Sequence, residues 1–292
     1  MKKSLILCLS IAVIALFSAC NKNPEGTFNP SKKIQKIYKV ENGEQVLSEV
    51  WNWNGDLLMS IEEYSGMDIY TSTFTYDNSN RLLAMDNASS HSECFYDGNK
   101  IEKIVVTSYG VEVGSYEFEH KGNKISQIEM EFDLGLEDFD WKKAAIANPM
   151  RFLIPELYQT VIAALERCSK EAKGEEITMD LTWGGNNVKT IEVRYTGFFG
   201  TVTETVDLTY DTKNNPTYGL LAQISTNAVA NLFVNKNNPL TINTSISNYL
   251  FNKQTFTYEY EDNYPVKVTW EDVDDPGTAD EEVTVSTMIY EY

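Results

Sequence analysis

Cys20 offers the most specific chemistry in this chain, because it ends an apolar stretch at a position where a thiol can be acylated. Residues 1–20 read MKKSLILCLSIAVIALFSAC. Lys2 and Lys3 supply a charged start, Leu5 to Phe17 an apolar run, and Ser18 and Ala19 the small side chains a signal peptidase needs before its cut. The order predicts cleavage before Cys20 and acylation of its sulfur. Phe17 stands three residues before the cysteine, where Leu is usual, and Leu16 lies one place further back. A spanning helix would need about 20 apolar residues, whereas this run is shorter and opens into polar NKNPEGTFNPSKK.

Three further sets of side chains could do chemistry. Trp51, Trp53 and Trp183 are the candidates for stacking on a sugar, although aromatics at i and i+2 share one strand face and ordinarily build cross-strand ladders or core. The run EDVDDPGTADEE at 271–282 places Asp272, Asp274, Asp275 and Asp280 as candidate calcium ligands. It lacks the ligand order of an EF-hand, and a solvated hairpin loop is the favoured reading. Glu62-Glu63 and Glu175-Glu176 are adjacent carboxylates of the kind glycoside hydrolysis uses in pairs, but among 43 acidic residues such neighbours arise without purpose. His91 and His120 are the chain's two histidines, and both fall in polar turn sequences that read as solvated. No nucleophile elbow, phosphate loop, H-E-x-x-H or C-x-x-C motif is present, so no catalytic residue and no cofactor is assigned.

The formal charge of −19 falls to −21 once Lys2 and Lys3 leave with the signal. Such a charge argues against nucleic acid as a partner, and by the same reasoning against attraction to anionic membranes. Removal of residues 1–19 leaves 273, enough for one large β-domain with a real core. Cys94 and Cys168 remain besides Cys20. An oxidising compartment would let them pair, but Cys94 occupies an apolar strand position and Cys168 an apolar helical stripe, which favours two buried thiols.

The elements that must position these groups repeat. WNWNGDLLMSI from Trp51, FTYDNSNRLLAM from Phe74, CFYDGNKIEKI from Cys94, YEFEHKGNKISQI from Tyr116, LTWGGNNVKTI from Leu181, LTYDTKNNPTY from Leu208 and FTYEYEDNYPVKV from Phe256 share one plan. Each is an aromatic strand, a Gly/Asn/Asp turn and a second strand, the sequence form of a β-hairpin. The first four start 23, 20 and 22 residues apart, and a 65-residue gap follows. That gap predicts a helical insertion: LEDFDWKKAAIAN, then a second helix after Pro155 with Leu157, Val161, Leu165 and Cys168 at helical spacing. Its apolar face would cover the sheet. KNNP recurs at 213–216 and 236–239 around a further irregular stretch, and EVTVSTMIYEY should form the last strand.

The cysteine-terminated signal, the tandem TYDNSNRL and YDGNKI hairpins and the YDTKNNPTYG…NKNNP pair resemble the repeat-rich lipoproteins of unknown function from Bacteroides-type bacteria. The hairpin units are distantly similar to the YD repeats of Rhs-type proteins. The resemblance runs from about Ile34 to Tyr292 and implies an envelope-exposed all-β domain. It brings no established activity and no functional residues.

The expected fold is therefore all-β with a helical insertion: an antiparallel hairpin meander forming one curved or barrel-like sheet, with helices at 137–173 packed against it. The expected organisation is a signal peptide at 1–19, a lipidated tether at 20–33 and one β-domain at 34–292. The expected role is a non-enzymatic binding or structural module, anchored to the outer membrane through Cys20, for a glycan or an envelope protein. A periplasm-facing lipid-handling or envelope-assembly factor is the alternative, and a glycan hydrolase the third reading.

Overall fold

Asn42 and Gly43 both adopt positive φ, the geometry of a two-residue hairpin whose twist matches the flanking strands. Repeated along the chain, such turns produce sixteen strands. The computed structural model describes residues 24–88, 90–132, 175–197, 200–220 and 234–292. The strands are β1 (Lys36–Glu41), β2 (Glu44–Asn54), β3 (Leu57–Ser65), β4 (Asp68–Tyr76), β5 (Leu82–Asp86), β6 (Ser90–Asp97), β7 (Lys100–Ser108) and β8 (Val111–Lys121). They continue as β9 (Lys124–Phe132), β10 (Glu175–Gly184), β11 (Asn187–Gly197), β12 (Gly200–Tyr210), β13 (Pro239–Ile246), β14 (Tyr249–Glu261), β15 (Tyr264–Asp274) and β16 (Glu282–Glu291). Each pairs antiparallel with the next, and β16 pairs back onto β1, so the sheet closes into a barrel. Closure removes both sheet edges. Lys36 and Tyr38 of β1 each bond the Glu291 carboxylate across that seam, at 3.1 and 3.0 Å.

Six of the seven repeat units are hairpins that turn at one end, here called proximal, β2–β3, β4–β5, β6–β7, β8–β9, β10–β11 and β14–β15; the unit from Leu208 supplies only the first strand of the seventh, β12–β13, because NNPTY is not a strand and β13 begins at Pro239. The other connections lie at the distal end. Every proximal hairpin breaks register at one place, as between Phe95 and Tyr96, where Lys103 opposes Phe95 but Ile101 opposes Tyr96. The extra residue on the outgoing strand is a β-bulge. It explains a spacing that plain alternation does not, since Leu58 and Ile61, Leu82 and Met85, Ile101 and Ile104, Ile125 and Ile128, and Val188 and Ile191 are all three apart and all buried. The bulge returns the strand to phase, and both residues point into the barrel.

A bulge disrupts the ladder locally and frees backbone carbonyls. The repeat's aromatic residue takes them up. Tyr76 donates to the Leu58 carbonyl (2.5 Å), Tyr96 to Leu82 (2.6 Å), Trp183 to Ile125 (2.7 Å), Tyr258 to Pro239 (2.8 Å) and Tyr292 to Pro265 (2.8 Å). Trp53 makes the same bond to Ile34 just before β1, at 2.7 Å. The aromatic–turn–I-x-x-I signature thus codes one physical unit: a bulged hairpin tied to the preceding strand.

The inner face carries the apolar residues, among them Tyr116, Phe74, Met130 and Met288, in one continuous core. Nearer the distal end the inward positions turn polar, with Ser72, Ser92, Ser108, Glu49, Glu63 and Glu204 all buried. The outer wall is mostly hydrophilic, with Met59, Leu83, Phe95 and Leu240 as scattered exposed apolar residues. Thr71, Thr73 and Thr75 of β4, Thr203, Asp207 and Thr209 of β12, and Thr255, Thr257 and Glu259 of β14 are exposed. Cross-strand polar pairs line it, including Lys103–Glu117 (3.0 Å), Lys267–Glu259 (2.8 Å), Arg194–Asp180, and Thr209 with Thr241 (2.7 Å).

The fold expectation is corrected by this arrangement. The architecture is a sixteen-stranded closed antiparallel barrel, and the described residues contain no helix. Residues 137–173, read as helices packed on the sheet, lie outside the described residues. Their expected packing needed an apolar sheet face left for helices to cover, whereas closure turns the apolar face inward and leaves a mostly polar wall outside. Among the described residues no helix is long and apolar enough to cross a membrane.

The proximal end is closed by the chain's own beginning. Of the segment 20–33 read as a tether, residues 24–33 lie against the barrel. Glu25 N–H donates to the Asn99 carbonyl (2.9 Å), the Gly26 carbonyl accepts from Leu82 N–H (3.0 Å), and Phe28 and Ile34 join the core at 4% and 1% exposure. Gly26 sits at φ +81, and a Cβ there would overlap the Tyr96 hydroxyl, so the strap crosses this ring only as glycine.

Candidate functional site

The aromatic candidates are structural members of the proximal units. Trp51 is 3% exposed and donates from its indole to Glu49 at 2.8 Å. Trp53 stacks on it with centroids 6.5 Å apart, and Phe28 of the strap packs against both. The Lys33 ammonium lies 5.5 Å from the Trp53 ring centre. Trp183 belongs to β10, far around the barrel from β2, with its N–H on Ile125 and the Lys124 ammonium 4.8 Å from its ring centre. The structure thus joins Trp51 with Trp53 and leaves Trp183 apart. Their polar atoms are bonded within the fold, and a cation lies over both Trp53 and Trp183.

The acidic candidates sit at the distal end of β15 and in the turn after it. Asp272 is half-buried, and burial raises its pKa above the usual carboxylate value. The Asn252 amide donates to both Asp272 (2.7 Å) and Asp274 (2.8 Å). Asp275 accepts from the Tyr249 hydroxyl at 3.0 Å, and Asp280 donates its N–H to Thr278 at 3.1 Å. Among the described residues no three His, Cys, Asp or Glu side chains converge as a metal shell requires.

The carboxylate pair Glu62-Glu63 is divided by the strand's own alternation. Glu62 is on the outer wall, accepting from Asn52 (3.3 Å) and Tyr64 (2.9 Å), while Glu63 points inward and is 4% exposed. Two groups on opposite faces of one strand cannot flank one glycosidic bond. Glu63 stands opposite Glu49 across β2–β3, and Glu49 is wholly buried, so neither carboxylate is presented to solvent.

His91 bonds Asp86 at 2.7 Å. His120 is not the solvated turn residue its sequence suggests. It lies beneath the strap and meets the Glu25 carboxylate at 2.9 Å, and the same oxygen accepts the Ile101 N–H at 2.9 Å. In this hairpin a strap carboxylate replaces the aromatic tie. Cys94 is a free, buried thiol, and burial pushes its pKa up to about 12. Cys20 and Cys168 lie outside the described residues.

Two surfaces escaped the sequence reading. The first is the distal rim, where Met67 is fully exposed and Tyr109 is 81% exposed, joined by Ile69, Val111, Val202, Tyr249, Val283 and Val285. Glu41, Glu44, Asp68, Glu112, Asp280, Glu281 and Glu282 are exposed among them, and the described distal turns hold no Lys or Arg. The second is a set of lysines at the proximal turns. The signal for the rim was available, because SGMDIY, SYGVEV and SNYLF each put a large apolar residue beside a turn. It becomes legible only when alternate turns are known to gather at one end.

No protein-family model matches the chain, and no curated protein is similar to it. Among solved structures, the chain is similar to one described as a porin-like protein from Bacteroides uniformis ATCC 8492. The TM-score is 0.52 at 10% identity, over 92% of this chain and 99% of that one. The likeness is one of fold, a closed β-barrel.

Proposed function

We propose that this protein is a non-enzymatic module of the bacterial outer membrane, held by an acylated Cys20, whose barrel stands in water beside the bilayer and presents its distal rim to a protein partner. The observation that carries the reading is the polarity of the wall. A barrel that crosses a membrane shows lipid an apolar band about 25 Å tall and keeps its interior polar. Here Thr, Glu, Asp and Lys occupy the outside of the strands and the apolar residues fill the inside. The porin-like neighbour supports an outer-membrane address, and the N-terminal signal supports attachment by lipid rather than by strands. The rim fits a protein surface that combines apolar side chains with Lys or Arg, because exposed apolar groups and unneutralised acids alternate around it.

A photo-crosslinking side chain placed at Tyr109 in cells tests the docking surface, with the outer-wall position Thr257 as comparison. The reading expects a discrete protein adduct from position 109 alone, lost when Met67 and Val285 are changed to Asp. Equal adducts from both positions, or none from the rim, would overturn it.

A further inference from the structure

The proximal lysines divide into two groups. Elsewhere on the ring most cations are neutralised, Lys33 by Asp56 at 2.7 Å, Lys32 by Asp262 at 3.0 Å, Lys36 by Glu291 at 3.1 Å and Arg81 by Asp77 at 2.7 Å, while Lys100 of the β6–β7 turn forms no ion pair among the described residues. On three consecutive hairpins, β8–β9, β10–β11 and β12–β13, the pattern changes. Lys121, Lys189 and Lys236 are exposed and form no ion pair among the described residues. Lys124 binds the Gly185 carbonyl and lies over Trp183, and Lys213 binds the Asn263 side chain at 2.8 Å and lies over Tyr260. The acid of these turns, Asp211, is turned into the fold, where it accepts from the N–H groups of Lys213 and Asn238 and from the Tyr260 hydroxyl. Among the described residues, five lysines therefore have no carboxylate partner on one sector of a chain whose formal charge is strongly negative.

The strap enters beside this sector. Glu25 is bonded to His120, the neighbour of Lys121, and Gly219 of the β12–β13 connection lies against the Thr27 carbonyl. Four residue-to-residue steps link Cys20 to Pro24, and at ~3.5 Å each they span at most about 14 Å. An acyl chain on Cys20 holds the membrane surface within that leash of Pro24, at the proximal end that carries the lysines.

We infer that Lys121, Lys124, Lys189, Lys213 and Lys236 seat the proximal end on the phosphate groups of an anionic phospholipid surface, the membrane that takes the anchor. The inference rests on acylation of Cys20 for its orientation. It reverses, for this one sector, the repulsion that the net charge predicts, because contact forces are set within a Debye length of about 8 Å rather than by the total. Seated this way, the barrel holds its acidic rim away from the headgroups.

The test uses the mature chain with Cys20→Ser, so that no lipid contributes, and sedimentation with vesicles of phosphatidylglycerol and phosphatidylcholine or of phosphatidylcholine alone. Binding is expected to the mixed vesicles only, to weaken with salt, and to fall at least about tenfold in Lys121→Gln/Lys189→Gln/Lys236→Gln. The matched variant Lys103→Gln/Lys253→Gln/Lys267→Gln, of equal charge on the outer wall, should bind as the unmodified chain does. Circular dichroism confirms that both variants fold. No binding to the mixed vesicles, or equal loss in both variants, would overturn the inference. Failure of the anchor reading is scored separately, by fractionating cells that express Cys20→Ala.

Discussion

Replacing Phe28 with Ala should loosen the strap that closes the proximal end. Phe28 is 4% exposed, with its ring 6.4 Å from Trp51 and 5.7 Å from Trp53. Truncation of a buried Phe costs about 3–5 kcal/mol, the sum of lost transfer energy and an unfilled cavity. The strap sets a ceiling on the loss, because once it detaches no further contact can be lost. Ile34 and the Glu25 and Gly26 bonds still hold it, so the lower end, about 3 kcal/mol, is the expected value. At about 2–4 °C per kcal/mol for a chain of this size, the melting temperature should fall by roughly 6–12 °C. Thermal and urea unfolding measure the change, and trypsin cleavage at Lys32 and Lys33 should accelerate in parallel. A loss under about 0.5 kcal/mol, the range of an ordinary surface change, would refute the claim that residues 24–34 are an integral part of the barrel.

Two other perturbations follow from the proximal units. Tyr96→Phe removes the 2.6 Å bond to the Leu82 carbonyl and leaves that bulge acceptor unmet, so urea unfolding should show a loss of about 1–3 kcal/mol; an unchanged midpoint would mean that water serves the carbonyl as well. Cys94, its pKa pushed up to about 12 by burial, should resist alkylation at pH 8 until denaturant is added. Burial likewise holds the hydroxyls of Tyr76, Tyr96, Tyr290 and Tyr292 above their usual value. These protons stay on in the folded state while the unfolded chain releases them. Stability is therefore complete below about pH 9 and falls as pH rises toward 12, which alkaline titration of the unfolding midpoint would show.

The hairpins were legible because Asn-Gly turns and aromatic strands advertise themselves locally. The I-x-x-I spacing was visible too, but alternation alone gives it no meaning. It takes a bulge to bring Ile101 and Ile104 to one face. Barrel closure was not legible, since it depends on the pairing of β1 with β16 across some 250 residues, and that pairing removed the open apolar face on which packing of the expected helices depended. The strap misled for a related reason. Its composition is that of a linker, and Phe28 was the one residue that argued otherwise. The stacking candidates Trp53 and Trp183 follow from the same repeat that makes them structural: the Trp183 indole serves the bulge carbonyl of Ile125, and the Trp53 indole the carbonyl of Ile34 before β1.

On the proposed reading, the barrel stands beside the membrane and is held there by Cys20. Fractionation of cells expressing Cys20→Ala, with membranes washed in high salt and then alkaline carbonate, tests it most directly. The polar wall predicts that the variant leaves the membrane pellet and remains soluble and folded without detergent. Retention in the pellet through both washes would mean that the strands themselves enter the bilayer, and would contradict the account.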